Sequence, residues 1–264
     1  MSPAGVATVG SGEPWRPSAT LAALRLRAEV YAQVRQFFAS RGVLEVDTPM
    51  LSTAMNPDFN IDSVVVQGED QPRYLHTSPE FPMKRLLAAG SGPIWQLCRV
   101  FRRGEAGRRH NPEFTLLEWY QTGYSEADLM QEVGALLRRL TPDLSEQRLT
   151  YREAFAGSAG FDPLAVSLAE LAERTHQRFH WRDDERDPML DLWLAEVVEP
   201  ALPKNQLTFI SHWPASMAAL ADCVKDADGY WVARRFEAFW QGMELANGYY
   251  ELRDPVEQQR RFDA

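Results

Sequence analysis

Residues 97–121 read LCRVFRRGEAGRRHNPEFTLLEWYQ, and their patterning decides what kind of sheet this chain builds. Just before Arg102, Ile94, Gln96, Cys98 and Val100 alternate with Trp95, Leu97, Arg99 and Phe101, which predicts a strand. A loop with Gly104 and Gly107 follows, and a second strand opens after Pro112. Successive strand side chains point to opposite faces, so Phe114, Leu116, Glu118 and Tyr120 share one face. Five arginines lie between Arg99 and His110. A cationic hairpin loop leading to a face with a ring, a carboxylate and a phenol suits a nucleotide-plus-amine site. Arg102 offers a planar fork for a phosphate, Phe114 a surface for a base, and Glu118 and Tyr120 acceptors for an ammonium. A solvated basic loop beside an ordinary amphipathic strand would carry the same pattern, so the rest of the chain must decide.

The 264 residues suffice for one large α/β domain or two small ones. With 28 basic and 37 acidic side chains the net charge is −9. A broad nucleic-acid footprint needs a positive surface, so no tRNA partner is expected. A local basic pocket for a small phosphate ligand stays compatible. No apolar run approaches the roughly 18 residues of a membrane span, and no membrane association is expected. The first twenty residues lack the basic start and apolar core of a secretory signal. Their Gly, Pro and Ser content predicts a flexible tail over 1–18, with the folded domain over 19–264. The two cysteines, Cys98 and Cys223, read as reduced packing residues, which implies a cytoplasmic protein.

Helical spacing of Leu24, Ala28, Tyr31, Val34, Phe37 and Phe38 predicts a helix from Leu21 to Ser40, closed by Gly42. Residues 43–50, 61–67, 73–77 and 207–211 read as strands, and 234–252 as paired strands. Residues 78–91 read as a helix starting near Pro82. Ser125 with Asp128 opens another helix through a capping pattern. Further helices are expected from Ser167 to about His176, over 187–199 with Asp187 as N-cap, and after Asp254. Strands from both halves with helices between them predict one α+β domain built on antiparallel sheet.

Glu237, Glu244 and Glu251 recur at seven-residue steps around Gly242 and Asn247-Gly248. With an even-length turn, Glu237 lies directly opposite Glu244, about 4.5–5.5 Å away between Cβ atoms, where like charges repel. A Mg²⁺ ion between them removes that penalty, since it takes one or two carboxylates plus water and phosphate oxygens. A turn that leaves one carboxylate in solvent removes it equally well. Glu251 is an odd step from Glu244 and needs a bulge, expected at Asn247-Gly248, to reach the same face.

These residues together resemble a known family. Residues 41–49 (RGVLEVDTP) resemble motif 1 of the class II aminoacyl-tRNA synthetases, and 101–120 resemble their motif 2 in its lysyl form. Residues 77–80 (TSPE) and 242–252 (GMELANGYYEL) also resemble the lysyl branch. The combination of HNPEFT, LEWY and ELANG is highly specific. It also resembles the short paralogues of the lysyl branch that join (R)-β-lysine to a lysine of elongation factor P and lack an anticodon-binding domain. The resemblance implies a class II synthetase-like catalytic domain flanked by helices, which forms a homodimer through the first-helix region.

Carried over residue by residue, the resemblance makes Arg102 the catalytic group holding the α-phosphate and the substrate carboxylate. It places ATP against Arg102, Arg103, Gly104, His110, Asn111, Phe114, Glu244 and Leu245. Mg²⁺ falls to Glu237 and Glu244. Lysine or (R)-β-lysine falls to Ser78, Glu80, Glu118, Tyr120, Asn247 and Glu251, with Glu80 and Ser78 on the backbone-side amine. Selection between the isomers is expected around Glu80 and the 51–57 loop.

Two departures stand out. Gly104 occupies the position where the family has a glutamate against the adenine amino group, and Glu105 follows it. No glycine-rich motif 3 with its arginine is found, so a truncated product that adenylates poorly or not at all is expected. Other conspicuous residues carry structural readings. His176 and His180 are not expected to bind metal, 183–187 is expected to be a solvated turn, and Trp193, Trp213 and Trp231 are expected in the core.

Overall fold

The computed structural model describes residues 15, 17–55, 61–68, 71–107 and 110–263. Most of the expected tail over 1–18, two of the five loop arginines (Arg108 and Arg109) and the end of the 51–57 loop lie outside the described residues.

The chain opens with α1 (Leu21–Ala39), capped by Thr20, whose hydroxyl accepts from Ala23 N–H. Short strands β1 (Leu44–Glu45), β2 (Leu51–Ser52), β3 (Val64–Val66) and β4 (Arg73–Leu75) lead to α2 (Glu80–Ala88). The long hairpin of β5 (Ile94–Phe101) and β6 (Glu113–Tyr120) follows, then α3 (Glu126–Leu140), β7 (Ser145–Thr150) and α4 (Tyr151–Ser158). Next come α5 (Leu168–Phe179) and α6 (Arg186–Trp193). A π-helical turn over Leu194–Val198 runs into α7 (Glu199–Ala201). The final third holds β8 (Gln206–Pro214), β9 (Cys223–Lys225), β10 (Trp231–Trp240), β11 (Met243–Tyr249) and α8 (Pro255–Phe262).

The strands form three sheets: β1-β5-β6, β11-β10-β8-β7 with β9 beside β10, and the small β2-β4-β3. Pairing is antiparallel except for β1 with β5 and β7 with β8. The first hairpin runs in unbroken register from Ile94↔Tyr120 to Phe101↔Glu113. Its period-2 alternation therefore sets one face for Phe114, Leu116, Glu118 and Tyr120.

Helix α3 joins the two larger sheets. Its Met130 and Val133 pack on Leu207, Phe209, Phe236 and Ala238. Its Leu136 packs with Val34, Phe37 and Phe38 of α1 and with Trp95 of β5. Buried Glu132 locks α3 to the end of β6, accepting from Trp119 Nε1 and Gln121 Nε2 at 2.9 Å each. The opposite face of the larger sheet carries a second core, in which Ile210, Trp213 and Phe239 meet Tyr151, Phe155, Met189, Leu190 and Trp193.

Several expectations change at this level. Helix α2 begins at Glu80, so Pro82 sits inside its first turn, where a missing N–H costs nothing. Glu185, not Asp187, precedes α6. Strand β7 and helix α4 carry no expectation in the alternation pattern, although Thr150 and Glu153 form a full capping box there. Trp193 and Trp213 are buried, whereas Trp231 is 57 % exposed. Phe37 and Phe38 fill the core of the single chain, and the exposed apolar side chains of α1 are Leu21, Leu24 and Leu26. His180 ends α5 in the left-handed conformation, and His176 pairs with Asp184. Both cysteines are free, and burial pushes the Cys98 thiol up to about 11, which suits an unreactive packing residue.

Candidate active site

At the base of the first hairpin, β6, α2 and the segment just after β11 bring together three carboxylates. Glu118 accepts from Ser78 Oγ at 2.6 Å through one oxygen and from Tyr120 Oη at 2.7 Å through the other. Ser78 Oγ in turn accepts from the Glu80 N–H at 3.0 Å. Glu80 Oε1 accepts from Lys84 Nζ at 2.7 Å and from Tyr249 Oη at 3.0 Å. The same Lys84 ammonium donates to Glu251 Oε2 at 2.7 Å.

Burial dominates the electrostatics of this slot. It pushes the Glu118 carboxyl up, against the hydroxyls of Ser78 and Tyr120 that favour the charged form. It raises Glu251 to about 7, opposed by the Lys84 ammonium. The phenols of Tyr120 and Tyr249 are driven well above their ordinary value by burial and by the neighbouring carboxylates, so both remain neutral donors. Burial works against the charge on Lys84, but Glu80 and Glu251 together hold its pKa above the ordinary lysine value.

Arg102 lies beside this cluster, next to the segment that carries Ser78. Its Nε donates to the Thr77 carbonyl at 3.4 Å, one residue from Ser78, and its guanidinium lies 5.0 Å from the Phe114 ring centroid. A loose pair with Glu105 at 3.7 Å leaves most of its donors available. Gly104 turns the loop at φ +82°, a conformation that a glutamate there would occupy only under strain. The loop encloses a cleft of about 230 Å³ lined by Gly104, Glu105, Ala106, Gly107 and His110. Arg103, His110 and Asn111 are exposed around it. A larger depression of about 700 Å³ lies on α8, along Val256 and Gln259, and shares no lining residue with the slot or the loop.

The register of β10 with β11 corrects the expected carboxylate pairing. Glu237 faces Asn247, and Glu244 faces Phe239; the tight turn between Trp240 and Met243 sets this pairing, and β11 carries one extra residue, Leu245, between Ala246 and Glu244. The bulge therefore sits at Leu245 rather than at Asn247-Gly248. Its effect is the one required. One additional residue restores the parity that a seven-residue step breaks, so Glu237, Glu244, Asn247, Tyr249 and Glu251 share a face. Gly248 has a different role: a Cβ there would lie 2.6 Å from the Phe236 ring. Glycine at this position lets β11 lie close against the α3 side of the sheet.

Glu237 is buried and ion-paired with Arg235, whereas Glu244 is exposed. Burial and the nearby Glu244 charge raise the Glu237 carboxyl to about 8. Glu237 and Glu244 are the two carboxylates on this face that would hold a Mg²⁺ ion, which takes few protein ligands. Among the described residues no group of three or more His, Cys, Asp or Glu side chains is arranged to hold a metal.

The structure thus gathers Ser78, Glu80, Glu118, Tyr120 and Glu251 into one network with Arg102 beside it. Asn247, Leu245 and Glu244 lie farther along β11, with Asn247 and Glu244 on the same face. Lys84 and Tyr249 were missed by sequence reasoning. For Lys84 the available signal was the Glu80–Lys84 i,i+4 spacing.

An antiparallel hairpin, a cluster of carboxylates and a guanidinium beside it are compatible with a synthetase-type catalytic domain. Residues 15–264 match the family of tRNA synthetases class II (D, K and N), and the chain belongs to that family. Family membership carries ATP use with it. Its relatives include the elongation factor P–(R)-beta-lysine ligase of Sodalis glossinidius, 45% identical over 262 residues, covering 94% of this chain and 79% of the relative. The protein of the same name from Salmonella gallinarum is 45% identical over 259 residues, and that from Pseudoalteromonas translucida 44%, with the same coverage.

Proposed function

We propose that this chain uses ATP to activate (R)-β-lysine as an adenylate and passes it to a lysine side chain of elongation factor P. The observation that carries this reading is the continuity of the amine slot with Arg102 through Thr77 and Ser78. A ligand with two ammonium groups and one carboxylate meets acid at one end and guanidinium at the other. Glu80 with Ser78 takes the amine nearer the carboxylate. Glu251, Tyr120, Glu118 and Asn247 take the distal ammonium.

Arg102 holds the substrate carboxylate against the α-phosphate, so that a carboxylate oxygen attacks phosphorus and pyrophosphate leaves. The acceptor amine then attacks the acyl carbon and AMP departs. Both steps rest on positioning and charge stabilisation, with no side-chain nucleophile. Phe114 stacks on adenine, and Arg103, Gly104, His110, Asn111 and Leu245 line the nucleotide. Glu237 and Glu244 hold Mg²⁺, which neutralises phosphate charge when bound. Residues 19–264 act as one cytoplasmic catalytic unit. It is a homodimer through exposed Leu21, Leu24 and Leu26 of α1 with Leu44 and Leu51. The net charge of −9 disfavours tRNA as acceptor.

Pyrophosphate exchange into ATP tests the first step. The expected result is Mg²⁺-dependent exchange stimulated by (R)-β-lysine above α-lysine, and slow in a chain without the glycine-rich motif 3. A second reading, a non-catalytic ATP- and lysine-binding paralogue, is favoured by Gly104 in place of the family glutamate. Binding of both ligands without exchange or AMP would establish it.

A further inference from the structure

Lys84 has no part in the roles assigned above, yet it makes the closest contacts between the two carboxylates that take the substrate amines. Its Nζ lies 2.7 Å from Glu80 Oε1 and 2.7 Å from Glu251 Oε2, so those oxygens sit within twice that distance of each other. The side chain is only 24 % exposed. Glu80 lies one helical turn away on α2, while Glu251 arrives from beyond β11, 167 residues later.

We propose that Lys84 is a positioning residue that sets substrate specificity: its ammonium bridges Glu80 and Glu251 and splits the acidic slot into two ammonium subsites. This rests on reading the slot as a diamine site.

Two lines of accounting support it. The first is charge. Glu80, Glu118 and Glu251 carry three negative charges when ionised, and Lys84 cancels one. A ligand with two ammonium groups then leaves the slot neutral, whereas a monoamine leaves a buried carboxylate uncompensated. The second is acceptor capacity. Glu80 Oε1 already receives Lys84 and Tyr249, and Glu251 Oε2 receives Lys84. The remaining oxygens, Glu80 Oε2 and Glu251 Oε1, are left for the ligand, on either side of the bridge. Without the bridge, two carboxylates this close cannot both stay ionised, and one subsite closes by taking up a proton. Around Glu251 the charged groups are Lys84 and Glu80 from α2 and Glu118 from β6, with the neutral phenol of Tyr249 beside them.

The test is calorimetric titration of the full chain with lysine, (R)-β-lysine and, separately, ATP, at several pH values either side of neutrality. Lys84→Ala and Lys84→Met are expected to bind both diamines about 10–100-fold more weakly, the range for losing charge-assisted hydrogen bonds. Their ATP affinity stays as in the wild type, and the pH midpoint of diamine binding moves upward. Added propylammonium restores diamine binding to Lys84→Ala, whose cavity admits it, and not to Lys84→Met. Variants that bind diamines like the wild type, with an unmoved midpoint, would overturn the proposal. So would a loss that no alkylammonium repairs, or failure of both variants to fold, which would assign Lys84 to the framework alone. If the wild type binds neither diamine, the functional reading itself falls, and that outcome is distinct from the others.

Discussion

At the amine end of the site, Ser78, Glu80, Lys84, Glu118, Tyr120 and Tyr249 bind one another before any ligand arrives. At the proposed nucleotide end, Arg103, His110, Asn111, Glu244 and Leu245 stand exposed, and Glu237 shares the neighbourhood of a like charge. The first region is preorganised by its own hydrogen bonds, so a diamine loses little ordering free energy on entering. The second presents cationic and anionic groups whose arrangement is completed by phosphate and metal charge. Amine recognition is therefore expected to persist without ATP, while nucleotide binding depends on Mg²⁺.

Replacing Arg102, which stands between the two regions, gives the largest effect. Arg102→Ala is expected to lower pyrophosphate exchange by about 10²–10³-fold, the scale for removing one charge-stabilising group. Binding of a carboxylate-free diamine should survive. Loss of that binding as well would erase the distinction between the two ends.

Glu251→Gln keeps the shape of the slot and removes one charge. Calorimetry should show lysine binding weakened by about 10–100-fold with ATP binding unchanged. A parallel loss of ATP affinity would mean that the two ends are one coupled unit.

The comparison sharpens further with pH. Glu251 titrates near 7 in the fold, above the ordinary glutamate value of 4.5. The fold favours its neutral form, so its contribution to stability is full below 4.5 and is lost as pH rises through about 7. Ammonium binding needs the ionised form and moves the opposite way. Diamine affinity should fall as pH drops below about 7, by about tenfold per unit once a single proton competes. A flat titration across that window would contradict the upward shift of the half-buried Glu251 carboxyl.

The smallest effect on chemistry is expected at Gly248. Gly248→Ala forces a Cβ against the Phe236 ring and should cost about 1–3 kcal/mol of stability, read as a lowered melting temperature. Diamine binding should remain, because Gly248 faces α3 rather than the slot.

What the sequence revealed follows the range of its physical signals. Alternation along β5 and β6 is local, and it placed Glu118 and Tyr120 on one face with Phe114 correctly. The capping box at Ser125 and the N-cap at Asp254 are equally local and stand as expected. Register is a property of two strands and their turn. The spacing of Glu237, Glu244 and Glu251 demanded a bulge, but only the backbone shows it at Leu245. Lys84 was hidden for another reason: a lysine on an amphipathic helix reads as a solvated side chain. Its second partner, Glu251, lies 167 residues away, beyond any local pattern. Trp231 was misjudged because indole size suggests burial, whereas the edge of the β9–β10 ladder leaves it in solvent.

The decisive measurement is mass spectrometry of elongation factor P after incubation with this chain, ATP, Mg²⁺ and one lysine isomer at a time. The factor should gain one lysyl residue on a lysine side chain, faster with (R)-β-lysine than with α-lysine and not at all without ATP. A factor of unchanged mass in every mixture, despite measured diamine and ATP binding, would contradict ligase chemistry at this site.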